Sequence, residues 1–182
     1  MKRQQRLIAL FETVRDIPYG YIGTRDPLQV LKKSKGTCSG KHLLLGYLFQ
    51  TMGIEVKYMM CLTKLNFLKE ILPDELYAIL QDKEVYDCHN FLRVHINKWL
   101  DVDVTFDAPL ERYGFPVNRD WNGTSDCEIA FKPIKIYEVT DLLKEKKHAL
   151  DKFPEEMQKA RLMFIKRLSN WLDEIRRAKL PV

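Results

Sequence analysis

Long apolar runs are missing from this 182-residue chain. The longest candidate, Leu43 to Phe49, is broken by Gly46 and followed by Gln50, far short of the ~18 uninterrupted apolar residues that span a bilayer. A membrane span is therefore excluded as a reading of the sequence. Cysteine is scarce: Cys38, Cys61, Cys88 and Cys127 are widely spaced, with no CxxC pair, which excludes a disulfide scaffold and a zinc knuckle. There is no internal repeat and no low-complexity tract. Charge of one sign is also weak. The net charge is +5, too small to imply nucleic acid by itself. The surplus is local, because Lys144 to Val182 carries 11 Lys/Arg against 6 Asp/Glu, while the preceding 143 residues carry 19 of each. The N-terminal Met1-Lys2-Arg3 is basic like a signal peptide, but Leu7 to Phe11 runs into Glu12, Arg15 and Asp16 before any cleavage pattern. The expectation is a mature cytoplasmic protein.

What is present is an ordinary globular composition, 46% hydrophobic and 30% charged, in a length that suits one domain. Leu7, Leu10, Phe11 and Val14 recur at helical spacing from about Arg3 to Asp16, and Pro18 stops that helix. Asp26-Pro27 supplies an N-cap and a first-turn proline for a short helix to about Lys33. From Thr37 to Met52 the pattern is apolar nearly all round, ending at Gly53, so this helix is central and buried. A strand from Ile54 to Leu62 follows, then a helical insertion from Pro73 to about Asp82. Two alternating segments, Asn90 to Ile96 and Trp99 to Phe106, form a hairpin across Asn97-Lys98. Residues 107 to 127 read as a long covering loop, Ile129 to Ile136 as a further strand, and Thr140 to Leu150 and Glu155 to about Lys179 as two closing helices. The organisation expected is a single domain over 1–182, with a core at about 15–136 and a C-terminal helical extension at about 140–180.

Chemistry concentrates at Gly36-Thr37-Cys38-Ser39-Gly40-Lys41, which sets a thiol in the first turn of the most buried helix. The unpaired N–H groups and the dipole at that end favour the thiolate. The hairpin adds a partner. If its two apolar faces coincide, paired residues are both odd-numbered, and His89 lies opposite Asp103 or Thr105. In the first case imidazole and carboxylate are direct neighbours and in the second diagonal ones. A histidine oriented by a carboxylate, together with a helix-terminal thiol, is the arrangement for nucleophilic acyl transfer.

These residues resemble the transglutaminase-like superfamily of papain-type cysteine enzymes. The likeness rests on Gly36-Thr37-Cys38 at a helix start, the step Met52-Gly53-Ile54 from helix into strand, His89-Asn90-Phe91, and Trp99 to Thr105 with Asp103 four residues after Trp99. It covers roughly residues 15 to 106. Phe91 stands where tryptophan is frequent in the family, and about 25 residues are inserted before His89. The resemblance implies an α+β domain in which a central Cys-bearing helix packs on an antiparallel sheet, with further helices at both ends. It implies Cys38 as nucleophile, His89 as general base and acid, and Asp103 as the group that holds the imidazole. Activity would be hydrolysis or acyl transfer on an amide or peptide bond, with no cofactor and no metal. The partner would be a peptide or amide-bearing substrate, in particular a protein. The Cys38 backbone N–H is the natural first oxyanion donor. Tyr19 or Tyr21 is a candidate second one, and Trp99 a candidate substrate contact.

Alternatives stay open at this stage. His42, Cys88 and His89 could be drawn as a metal site, and His95 with Asp101 is a second dyad on the same hairpin face. A non-catalytic binding or scaffold domain would keep the same fold, and the basic C-terminal helix could hold nucleic acid or an acidic partner. Its apolar stripe with interspersed Glu favours docking on the domain instead.

Overall fold

The computed structural model describes residues 2–80 and 84–178. Its central helix, α3 (Cys38–Thr51), begins after an extended Thr37 and buries ten residues, among them Leu44, Leu45 and the fully enclosed Phe49. A side chain of that size contributes about 1.5–3 kcal/mol when taken from water to the interior. Gly53, at φ +70°, closes the helix. The Ile54 N–H reaches the Phe49 carbonyl at 3.1 Å and the Gly53 N–H the Gln50 carbonyl at 2.9 Å, the paired bonds of a Schellman stop. Ahead of α3 lie α1 (Arg3–Arg15) and α2 (Pro27–Lys33), the latter opened by Asp26, whose carboxylate accepts the Leu28 N–H at 3.0 Å.

The chain then enters a four-stranded antiparallel sheet of β1 (Glu55–Lys64), β2 (Tyr86–His95), β3 (Trp99–Val102) and β4 (Lys135–Val139), in the spatial order β3-β2-β1-β4. In the β2–β3 hairpin, Arg93 faces Asp101 and His95 faces Trp99, so the odd-with-odd pairing that the alternation predicts is the one adopted. Helix α3 packs on β1 and β2, with α1 and α2 against its other sides. This is the α+β architecture of a buried helix on an antiparallel sheet. Among the described residues no helix is long and apolar enough to cross a membrane.

Three elements differ from expectation. The second hairpin strand ends at Val102 instead of running to Phe106. Residues 103 to 105 keep an alternating pattern, but their backbone groups bond to side chains: the Val104 N–H donates to His42 and the Thr105 N–H to Asp103. The strand expected from Ile129 begins only at Lys135, because Ala130 gives its N–H to Asp103 and Pro133 interrupts any ladder. The insertion after β1 is a 3₁₀ turn, Leu65–Glu70, followed by a single helical turn, α4 (Asp74–Tyr77); its expected end at Asp82 lies outside the described residues.

The chain closes with α5 (Leu142–Asp151) and α6 (Glu155–Arg177). The end expected for α6 at Lys179 also falls outside the described residues. Helix α6 turns Ala160, Phe164, Ile165, Leu168 and Leu172 into one core, which it shares with Tyr19, Phe106, Phe115 and Phe131. Two ion pairs fasten it to the segments that follow β3 and α2. Arg176 donates from Nε and Nη2 to the two oxygens of Asp107, at 2.7 and 2.5 Å, and reaches the Tyr19 carbonyl at 3.1 Å. Lys35 pairs with Asp173. A second internal clamp is Lys41 of α3, fully buried, whose Nζ donates to the carbonyls of Arg15, Ile17 and Thr105 at 2.8, 2.6 and 2.9 Å. Burial draws Lys41 down to about 7, yet three acceptors select the ammonium, since only that form has three N–H donors.

Candidate active site

Cys38 occupies the first position of α3, and its place is set by glycines on either side. A Cβ at Gly36 or at Gly40 would lie 2.7 Å from Val30 Cγ2, so their bare backbone lets α2 pack directly beside the start of α3. Gly36 also bridges to the preceding loop: Gly20 N–H donates to the Gly36 carbonyl and Gly36 N–H to the Pro18 carbonyl, both at 3.1 Å. That bridge carries Tyr19 alongside the thiol. The Thr37 side chain makes no capping bond, which leaves the first N–H groups of α3 without the usual side-chain acceptor.

His89 stands on β2, buried, with its ring 4.8 Å from that of Phe131 and 6.3 Å from that of Phe91, centroid to centroid. Its Nε2 donates to Asp103 Oδ2 at 2.7 Å. Continuing the hairpin register would set His89 opposite Thr105, so Asp103 reaches it as the diagonal neighbour. The carboxylate is held by two further donors, Thr105 N–H on Oδ1 and Ala130 N–H on Oδ2, both at 2.9 Å. Burial opposes its charge, but the His89 imidazolium first, then the His42 ring and the His89 bond, outweigh burial and hold Asp103 well below the usual carboxylate range.

The other ring nitrogen of His89, Nδ1, is buried without a hydrogen-bond partner among the described residues. The imidazole and the Cys38 thiol are neighbours without a formed hydrogen bond, as is common between nucleophile and base before substrate arrives. The electrical effect is large all the same. Burial alone would raise the Cys38 thiol, but the Lys146 ammonium first and His89 next bring it from 9.0 down to about 5. Burial likewise opposes the His89 imidazolium, and Asp103 and Cys38 together push it up to about 9. Between these values the pair is a thiolate and an imidazolium.

Lys146 carries no signal in the motif reading, yet it is the cation that lowers the Cys38 thiol most. Only 2% exposed, it extends from α5 to within 3.8 Å of Cys38 Sγ and donates to Ser39 Oγ at 3.0 Å. Ser39 passes its own proton on to Asn90 Oδ1 at 2.8 Å, which fixes the direction of this chain from α5 through α3 to β2. Arg161 of α6 is the second cation absent from the motif reading; its Nε donates to buried Asp87 at 2.6 Å. Both were marked in the sequence, faintly. Lys146 sits four residues from each of Leu142 and Leu150, and Arg161 lies beside Ala160 and four residues before Ile165, so each holds a core position of an amphipathic helix.

Cys38 lines a cleft of about 100 Å³ together with Tyr19, Arg25, Asp87, Lys146 and Arg161, while His89 and Asp103 are not part of its lining. Tyr21 lines it too. Burial, then the Cys38 sulfur, raise the Tyr19 hydroxyl well above its ordinary value, so it stays a donor. Trp99 is not brought to this cleft: it stands at the exposed end of the hairpin against His95 and Lys57, and the notion of a substrate contact through it is corrected accordingly. The alternative dyad also separates, because Asp101 is bound by Arg93 at 2.7 and 3.1 Å while His95 is exposed.

His42 is no metal ligand in this arrangement. Its Nδ1–H donates to the Cys38 carbonyl at 2.7 Å, and its Nε2 accepts the Val104 N–H at 3.0 Å and lies 3.5 Å from Asp103 Oδ1, so both ring nitrogens are already engaged within the protein. Among the described residues no cluster of three or more His, Cys, Asp or Glu side chains could hold a metal. The remaining thiols are raised, Cys61 to about 12 and Cys88 to about 11, chiefly by burial, and Cys127 further still for the same reason. Cys38 alone of the four is turned toward the thiolate. Compared with known protein families and with curated protein sequences, the chain gives no significant match to either.

Proposed function

We propose that the chain is a cysteine-dependent hydrolase or acyl transferase of transglutaminase-like type, acting on an amide or peptide bond through a thioester. The observation that carries this reading is the buried His89–Asp103 pair acting on Cys38, whose sulfur lies at a cleft, with the thiol drawn down to about 5. In this mechanism the Cys38 thiolate attacks the carbonyl carbon. The oxyanion is met by the Cys38 N–H and by the Tyr19 hydroxyl. His89 gives its Nδ1 proton to the departing amine as the carbon–nitrogen bond breaks, and the thioester remains. Water or a second amine then loses a proton to Nδ1 and attacks, releasing Cys38. Asp103 keeps Nε2–H directed away from the sulfur throughout, so that Nδ1 always faces the reacting atoms.

The test is alkylation by iodoacetamide, followed by mass spectrometry to place the label. At pH 6 the label enters Cys38 before Cys61, Cys88 or Cys127, far faster than it enters free glutathione, and His89→Ala slows it at least about tenfold. A Cys38 that reacts no faster than glutathione at pH 6 refutes the reading.

A further inference from the structure

The charges around the cleft do not close among themselves. Cys38 is matched by Lys146, Asp103 by His89, and Asp87 by Arg161. Arg25 lines the same cleft, and its side chain has no hydrogen-bonded or ion-paired acceptor among the described residues. Arg161 spends only Nε on Asp87; its two terminal nitrogens have no acceptor among the described residues either, although its side chain is only 10% exposed. A guanidinium with spare, forked donors is suited to a carboxylate, which it can hold by two parallel bonds.

The size of the cleft narrows the matter further. About 100 Å³ is room for about three waters at ~30 Å³ each, well under the ~300–1,000 Å³ of pockets that enclose drug-sized ligands. It does not hold a polypeptide running through. It holds one short group, and the walls of Tyr19, Tyr21, Leu162 and Ile165 offer apolar contact for a few methylenes.

We infer that the acyl half of the substrate is short and carries a carboxylate, which Arg25 and the terminal nitrogens of Arg161 hold while its carbonyl lies on Cys38. The inference rests on Cys38 being the nucleophile of the proposed function and adds the class of group that it accepts. An amide of a small dicarboxylic acid, or the side-chain amide of a residue whose own carboxylate is free, fits the description.

Iodoacetate and iodoacetamide have nearly the same size and differ by one negative charge, and in each the thiolate displaces iodide from the methylene carbon. The ratio of their rates at Cys38, divided by the same ratio at free glutathione, therefore reports the preference of the cleft for an anion. It is expected to exceed one by about tenfold or more at low salt. Lys146 and His89 contribute to that preference, so two variants isolate the arginines. Arg25→Gln removes a half-buried charge with no protein partner, and Arg161→Lys keeps a cation beside Asp87 while removing the fork. Each lowers the ratio by at least about threefold. If neither variant moves the ratio while wild-type Cys38 still reacts rapidly with iodoacetamide, the carboxylate inference is overturned and the cysteine-enzyme reading stands. If Cys38 outpaces glutathione with neither reagent, both fall.

Discussion

Replacing Lys146 by Met isolates what sets the Cys38 thiolate. The two charges are 3.8 Å apart, and at an effective dielectric of about 20 such a pair attracts by about 4 kcal/mol, equivalent to about three pKa units. Cys38 at about 5 would then rise to about 8 in Lys146→Met, with His89 still in place. At pH 6 the thiolate fraction falls from roughly nine-tenths to roughly one-hundredth, so iodoacetamide labelling slows about hundredfold. At pH 9 both proteins are largely thiolate and the rates agree within about twofold. Met keeps an unbranched side chain one atom shorter than that of lysine, and Ser39 retains Asn90 as its partner, so the start of α3 stays where it is. Lys146→Arg restores most of the rate at pH 6. The assay is the rate of label uptake at Cys38 against pH from 4 to 10. A midpoint that stays near 5 in Lys146→Met would mean that His89 alone sustains the thiolate and that Lys146 serves only to bind Ser39.

Asp103→Asn removes the charge that stabilises the imidazolium, so His89 falls from about 9 toward its ordinary range, and turnover of any amide substrate drops by about 10²–10⁴-fold with the fold preserved. Folding stability against pH follows from two opposite shifts. Cys38 is depressed, so its contribution is full above the unfolded value of about 8.5 and is lost as pH falls through about 5; His89 is raised, so its contribution is full below about 6.5 and is lost as pH rises through about 9. From about 6.5 to 8.5 their pH dependences cancel and the summed stabilisation is flat, because folding only moves a proton from thiol to imidazole. Urea unfolding free energies of wild type and Cys38→Ser at pH 4.5, 7.5 and 9.5 check this: the loss between 7.5 and 4.5 is smaller in the variant, and an equal loss in both refutes the assignment. Lys41→Met strands the carbonyls of Arg15, Ile17 and Thr105 in the interior, at about 1–3 kcal/mol each. Its urea midpoint at pH 7.5 should therefore fall by the equivalent of at least about 3 kcal/mol.

Much of the fold is written in local periodicity. The register of the hairpin is an example: parity alone excludes a one-residue slip, because a slip would turn Leu92 and Val94 to the wrong face, and so His89 and Asp103 could be paired from the sequence. The same reasoning overran at Val104 and Thr105. Alternation marks apolar and polar positions, and here residues 102 to 106 are all buried, whereas a strand is defined by where the backbone bonds go, and here they go to His42 and Asp103. Lys146 and Arg161 mark the other limit. Their contacts to Cys38 and Asp87 cross 108 and 74 residues, and no period connects positions so far apart. In a basic segment, one lysine among eleven cations looks like solvent charge unless its place between Leu142 and Leu150 is weighed against its composition.

The order of these residues along the chain has a further consequence. By the time residue 130 has left the ribosome, the thiol, the imidazole and the carboxylate with its Ala130 bond are all present. The cations that accompany the sulfur arrive only with residues 146 and 161, which lie in the two helices that close the core around Leu43, Met60, Tyr19 and Phe106. The lysine that draws the Cys38 thiol down and the apolar side chains that finish the interior are thus carried by the same terminal segment. The charge state of Cys38 is thereby tied to completion of the fold.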